Sequence, residues 1–159
     1  MKNIVMYLFL SLSLTLRAQE KEPEIQSAES VFERIEIIQM KPGTDMLDGL
    51  NKFVAEKGIK NAVILAGIGS VTGYHYHVVS SGDLPPAQEY PKASVAMDLV
   101  SVQGYVLNSR VHAHIALSDE NSVVGGHLEK GTRALTFFII TLGILPDNLN
   151  IQNFDKYKL

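Results

Sequence analysis

One segment of the chain has its apolar residues at helical spacing. They recur every three or four positions and form a single stripe made of Met46, Leu47, Leu50, Phe53 and Val54. Thr44 or Asp45 can accept hydrogen bonds from the free N–H groups at the start of this segment, and Gly58 can end it in the left-handed conformation. The pattern therefore predicts one main helix that begins after these polar residues and ends at Gly58.

The other apolar segments are typical of strands. Apolar and polar residues alternate cleanly from Arg110 to Ser118, whereas Val95 to Val106 changes its apolar register partway. Either a β-bulge or burial of both strand faces would explain this change. Further strands are predicted at residues 31–40, 61–71, 73–80 and 134–145, with a short one that starts at Val123. One helix among these strands indicates an α+β fold with a mostly antiparallel sheet of six to seven strands.

The start of the chain has the features of a secretory signal peptide. Lys2 precedes an apolar run of about 13 residues, which is too short to span a bilayer comfortably. Ala18 supplies a small residue at the expected cleavage point, so residues 1–18 are predicted to be removed and the protein to be periplasmic or secreted. An uncleaved membrane anchor is the alternative; after cleavage we expect no stable anchor.

The rest of the chain divides by composition. Residues 19–30 are polar and acidic and are predicted to form a flexible leader. Residues 31–146 hold the predicted helix and strands and form the domain, and residues 147–159 form a C-terminal tail.

Composition limits the chemistry that this domain can use. Hydrophobic residues make up 46% of the chain and charged residues 19%, which is typical of a globular protein. The absence of cysteine excludes disulfides, thiolate metal ligands and cysteine nucleophiles. The formal charge is −3, and cleavage after Ala18 would lower it to −5 by removing Lys2 and Arg17. Such a charge gives little electrostatic support for nucleic-acid binding.

Histidines are the residues that suggest a metal site. His112 and His114 lie two positions apart on a predicted strand, so both rings point to the same face. His127 follows two glycines after a short turn, and a hairpin would bring it back towards this pair. Three imidazoles suit zinc and similar ions and leave one position open to water, as in catalytic zinc sites. The alternative is a polar strand face without metal, and spacing alone does not choose between them.

The second His-x-His pair is assigned a smaller role. His75 and His77 alternate with two tyrosines, which favours a polar sheet face or a contact between subunits. An outer shell of the metal site, or a second weak site, is also compatible with this spacing.

The order of motifs between Phe32 and Leu145 resembles that of the plants-and-prokaryotes-conserved (PPC) domain. The shared motifs are Lys41-Pro42-Gly43 before the helix, then segments 66–73, 99–104, 111–119 and 123–132. The resemblance implies a compact subunit that assembles as a homotrimer. In bacterial members it also implies a metal site, here matched by His112, His114 and His127.

Three functions are compatible with these observations. The first is an exported, homotrimeric binding or assembly module that holds a divalent metal, with zinc expected, and can receive a small ligand there. The second is a metal-dependent enzyme acting on a small molecule, in which Glu129, Asp119 or Arg110 would assist. The third is DNA binding, a common label in the family. In the plant proteins, however, that activity resides in separate basic AT-hook segments, which this acidic chain lacks.

Overall fold

The computed structural model describes residues 24–156. The predicted signal peptide and its cleavage point therefore lie outside the described residues. Between residues 24 and 156, no helix is long and apolar enough to cross a membrane.

The predicted helix is confirmed as α1, Met46–Lys57, with the caps that the sequence indicates. The Asp45 side chain accepts a hydrogen bond from the N–H of Asp48, and Gly58 ends the helix in the left-handed conformation with φ of 63°. Met46, Leu50 and Val54 of the apolar stripe are buried in the same core as the sheet residues, and Leu47 and Phe53 are partly buried against it. The helix therefore covers one face of the sheet.

All strands pair antiparallel in one eight-stranded sheet. The strands are β1 Arg34–Met40, β2 Asn61–Val79, β3 Gln88–Glu89, β4 Lys92–Ala93, β5 Met97–Leu107, β6 Arg110–Ser118, β7 Val123–Leu128 and β8 Arg133–Leu145. The main order is β1-β8-β2-β5-β6-β7, and β3 and β4 pair with β2.

The predicted number of six to seven strands is wrong. The segments 61–71 and 73–80, predicted as two strands, form the single strand β2, whose pairing with β8 continues past irregularities near Gly73. The two-residue strands β3 and β4 lie where the sequence analysis predicts no element, because elements this short have no periodicity to detect. The register shift predicted in residues 95–106 is confirmed, because the pairing of β5 with β6 is irregular between Leu99 and Ser101.

The long strand β2 changes partners along its length. Its first part pairs with β5 on one edge and with β8 on the other, whereas Tyr76 and His77 pair with β7. Because β5, β6 and β7 also pair in succession, the four strands β2, β5, β6 and β7 form a closed circuit of backbone hydrogen bonding.

Two glycines allow β7 to fit between its neighbours. A Cβ on Gly125 would overlap the carbonyl oxygen of Ile115 in β6, and a Cβ on Gly126 would overlap that of His77 in β2. Any other residue at either position would push β7 away from one of these strands.

The alternation predicted for β6 separates a buried face from a polar one. Val111, Ala113, Ile115 and Leu117 are all buried in the core. His112 and His114 therefore project from the opposite face of the sheet, away from these core side chains.

We expect Asp45 to stabilise the fold through two hydrogen bonds at once. Its carboxylate accepts from the N–H of Asp48 at 3.1 Å and from the N–H of Gly131, in the β7–β8 loop, at 2.7 Å, and the residue is buried. Asp45→Ala removes the helix cap and leaves the part-buried N–H of Gly131 unpaired, so the free energy of unfolding should fall by about 2–3 kcal/mol.

Urea denaturation measures this loss, and Asp48→Ala is the matched control. Among the described residues, the Asp48 side chain pairs with Lys130 alone, and this ion pair is exposed, so its replacement should cost less than about 1 kcal/mol. Equal losses in the two variants would contradict the assignment.

Candidate metal centre

Histidines from three strands stand side by side across the sheet. His114 of β6 lies directly opposite His127 of β7, which lies directly opposite His77 of β2. Directly opposed residues of antiparallel strands project to the same face, and His112 shares that face with His114. The pairing of β7 with both neighbours therefore gathers four imidazoles on one surface.

The rings of the three predicted ligands are neighbours on this surface. Ring centroids are 5.7 Å apart for His112 and His114, 4.7 Å for His112 and His127, and 5.4 Å for His114 and His127. With metal–nitrogen bonds of about 2.0–2.1 Å and tetrahedral angles, rings that share zinc have centroids roughly 5 Å apart. The centroid spacing is thus that of rings around one ion, whereas the set of described residues whose ligand atoms all lie within 4.8 Å of one another is a different one.

His77 belongs to the same cluster, although the sequence gives it a smaller role. Its ring stacks on that of His127 with centroids 4.3 Å apart. One ligand atom each from His77, His127 and Glu129 lie within 4.8 Å of one another, which makes a second possible ligand set. The only sequence signal for His77 is the His-x-His pair. Its partner His75 instead contacts the carbonyl oxygen of Lys130 through Nδ1, at 2.8 Å.

Two of the rings are oriented by carboxylates. His77 Nδ1 lies 2.7 Å from Glu129 Oε1, and His112 Nδ1 lies 2.8 Å from Asp155 Oδ2. An ionised carboxylate can only accept, so each Nδ1 donates its hydrogen, and in the neutral ring Nε2 is left free to bind an ion. This is the outer shell usually found behind metal-binding histidines.

The three residues predicted to assist a metal-dependent reaction lie at different distances from the histidine cluster. Glu129 touches the cluster, and Arg110 donates to Asp155 Oδ1 at 2.7 Å. Asp119 instead accepts from the N–H groups of Asn121 and Ser122 in the β6–β7 turn, so its role there is structural.

Burial keeps two rings of the cluster neutral. Desolvation lowers the pKa of His127 to about 4, helped by the neighbouring His77, His112 and His114 and opposed by Glu129. Desolvation also lowers the pKa of His114, again with His112 and His77 contributing. Neutral imidazole is the form that binds metal, so these two rings are ready to do so at neutral pH.

One buried nitrogen of the cluster has no partner in the part of the chain that the structure describes. His127 Nδ1 has no hydrogen bond among the described residues, and Glu129 Oε1 is 3.7 Å away. Buried polar atoms in folded proteins are nearly always paired, and an unpaired one calls for an explanation such as an ion. Together with the all-imidazole donor set, this nitrogen fits a divalent metal.

Space for a ligand adjoins the rings. A cavity of about 470 Å³ is lined by His112 and His114 together with Gln103 and Tyr105. A larger cavity of about 600 Å³ shares His112 and Tyr105 with it and has a mostly apolar lining. A small molecule could therefore approach the cluster from this side.

Three solved structures with the same fold have about a fifth of their aligned residues identical to those of the chain. A PPC protein from Pyrococcus horikoshii has a TM-score of 0.64 at 22% identity over 77% of this chain and 85% of its own. A metal-containing protein from Archaeoglobus fulgidus has a TM-score of 0.64 at 20% identity over 76% of this chain and 86% of its own. A candidate DNA-binding protein from Bacteroides thetaiotaomicron has a TM-score of 0.62 at 21% identity over 74% of this chain and 82% of its own. At such identities the likeness shows the fold.

Sequence comparison identifies the family itself. No curated protein sequence matches the chain. Residues 27–146, most of the chain and all of α1 and the sheet, match the family model of the Plants and Prokaryotes Conserved (PCC) domain. The chain therefore belongs to the Plants and Prokaryotes Conserved domain family.

Proposed function

We propose that the protein is an exported, homotrimeric metal-binding module that holds zinc through His112, His114 and His127. The observation that carries this proposal is the grouping of the three rings, whose centroids lie 4.7 to 5.7 Å apart, in a cluster where the buried His127 Nδ1 has no hydrogen-bond partner among the described residues. The metal-containing protein from Archaeoglobus fulgidus, which shares the fold, supports it.

In this proposal the neighbouring residues orient the ligands. Asp155 holds His112, while Glu129 holds His77, which stacks on His127. Three protein ligands leave one position of a tetrahedral ion for water or a small ligand. The cavity beside His112 and His114 supplies the space for that ligand.

The same cavity favours a metal-dependent enzyme as the second candidate. A bound zinc ion would supply a Lewis acid that polarises a carbonyl or activates water. Glu129 would then be the residue of this chain placed to accept a proton, since its Oε1 lies 3.7 Å from His127 Nδ1. Chelator-sensitive turnover of a small molecule would favour this candidate over a binding module.

Exposed apolar residues on an edge strand support assembly. β1 is at the edge of the sheet, and Ile35 and Ile37 on it are 50% and 73% exposed. Apolar groups at a free strand edge usually mark contact with another chain. We infer that this edge lies in the subunit interface.

DNA binding is the third candidate and has the least support. Affinity for duplex rests largely on cationic contacts to phosphate, whereas the chain has a formal charge of −3. The Bacteroides thetaiotaomicron protein of the same fold is a candidate DNA-binding protein, but the likeness extends only to the fold.

We expect the purified protein to bind one zinc ion per subunit. His112→Ala or His127→Ala should weaken binding by more than about 100-fold, because losing a ligand costs more than losing an outer partner. The affinity should fall as pH falls from 7 to 5, because protonated imidazole cannot ligate. His127, with its pKa near 4, stays neutral across this range, so the fall should be shallower than for three ordinary imidazoles.

Competition with a chromophoric chelator measures the affinity, and elemental analysis measures the stoichiometry. His75→Ala is the matched control, because its ring contacts a backbone carbonyl instead of the cluster. If His127→Ala bound zinc as tightly as His75→Ala, the proposed ligand set would be wrong.

We expect Ile37→Asp to dissociate the trimer. Ile37 is 73% exposed in the single subunit, so the change should cost the subunit little while burying a charge in the proposed interface. Light scattering at micromolar concentration gives the mass. Val123→Asp, at a site 75% exposed on β7, is the control and should remain trimeric. A monomeric unmodified protein would refute the proposed assembly.

We expect export to remove residues 1–18. Mass spectrometry of the protein from its native host should find Gln19 at the N-terminus, in the periplasmic or secreted fraction. A soluble cytoplasmic pool that retains Met1 would contradict export.

A further inference from the structure

The C-terminal tail reaches the candidate metal centre although it lies beyond the family domain. The family match ends at residue 146, yet the chain after it is held against the sheet. The side-chain amide of Asn61, a buried residue of β2, donates to the carbonyl oxygens of Pro146 and Leu149, both at 3.1 Å. Ile151 is buried in a small apolar cluster. These contacts fix the path of the tail towards β6.

The docked tail places one carboxylate beside the histidine cluster. The Asp155 side chain is 12% exposed, and its two oxygens contact two side chains of β6. Oδ2 lies 2.8 Å from His112 Nδ1, and Oδ1 accepts from Arg110 Nη2 at 2.7 Å. Arg110 and His112 are two residues apart on one strand, so both reach the same carboxylate from the same face.

This contact determines which nitrogen of His112 can bind an ion. Because the carboxylate only accepts, His112 Nδ1 carries the hydrogen and Nε2 keeps its lone pair. Without Asp155, the neutral ring would be free to move its hydrogen to Nε2 or to rotate, and either change would remove the ligand atom from the cluster.

We propose that Asp155 is a positioning residue that fixes the tautomer and orientation of His112 from the C-terminal tail. The consequence for metal affinity rests on the proposed function, whereas the consequence for the His112 tautomer does not. The family fold would thus depend, in this chain, on a residue outside the family domain for one of its ligands.

The first test is made on the metal-free full chain. Long-range proton–nitrogen NMR correlations report the tautomer of His112, which should be Nδ1–H in the unmodified protein. Asp155→Ala should convert a measurable share of His112 to the Nε2–H form, whereas Asp155→Glu, which keeps the carboxylate, should retain Nδ1–H. Asp147→Ala is the matched control, because Asp147 lies in the same tail but pairs with Lys60.

The second test measures zinc affinity in the same variants. Asp155→Ala should lower it by about 10–100-fold, as expected for an outer partner of a ligating histidine, and Asp147→Ala should leave it unchanged. A His112 tautomer and zinc affinity that are the same in Asp155→Ala as in Asp147→Ala would overturn the inference while leaving the proposed function intact. A shifted tautomer in a protein that binds no zinc would support the positioning role and refute the proposed function.

Discussion

The pairing of β7 with β6 on one edge and β2 on the other is the contact on which the site depends. It requires the backbone of β7 to lie so close to both neighbours that neither Gly125 nor Gly126 has room for a Cβ. Once that fit is made, His127 is held between His114 and His77 by backbone registers on both sides. The imidazoles are therefore positioned by strand pairing, which is more rigid than a loop would be.

The sequence predicts those features of the fold that depend on residues close together in the chain. The caps at Asp45 and Gly58, the clean alternation of β6 and the bulge in β5 depend on neighbours within a few residues. The length of β2 depends instead on residues far away in the sequence. A strand continues wherever other strands pair with it, and β2 therefore runs through Gly73. β3 and β4 likewise depend on a distant partner, because each is defined by its antiparallel pairing with the second half of β2.

Some residues of the candidate site can likewise be predicted from nearby sequence, whereas others are placed by distant contacts. His112 and His114 share a face because of strand geometry alone, and the short β6–β7 hairpin suffices to bring His127 near them. His77 joins them only through the contact between β2 and β7, which are far apart in sequence. Asp155 lies in a segment with no periodic pattern, and its position follows from contacts of the tail with Asn61 and the sheet. No spacing rule could have predicted either contact.

The lowered pKa of His127 links its burial in the fold to the proposed metal binding. Burial and mutual repulsion lower the pKa of His127 to about 4, so the ring is easier to bury in the form that also binds metal. In this buried cluster His127 Nδ1 has no hydrogen-bond partner among residues 24–156, which typically costs about 1–3 kcal/mol of stability. Departures of this kind from a fully satisfied interior are expected at functional sites. A bound ion would satisfy this nitrogen and remove the cost, so that metal affinity and the stability of the β2–β7–β6 region would rise together.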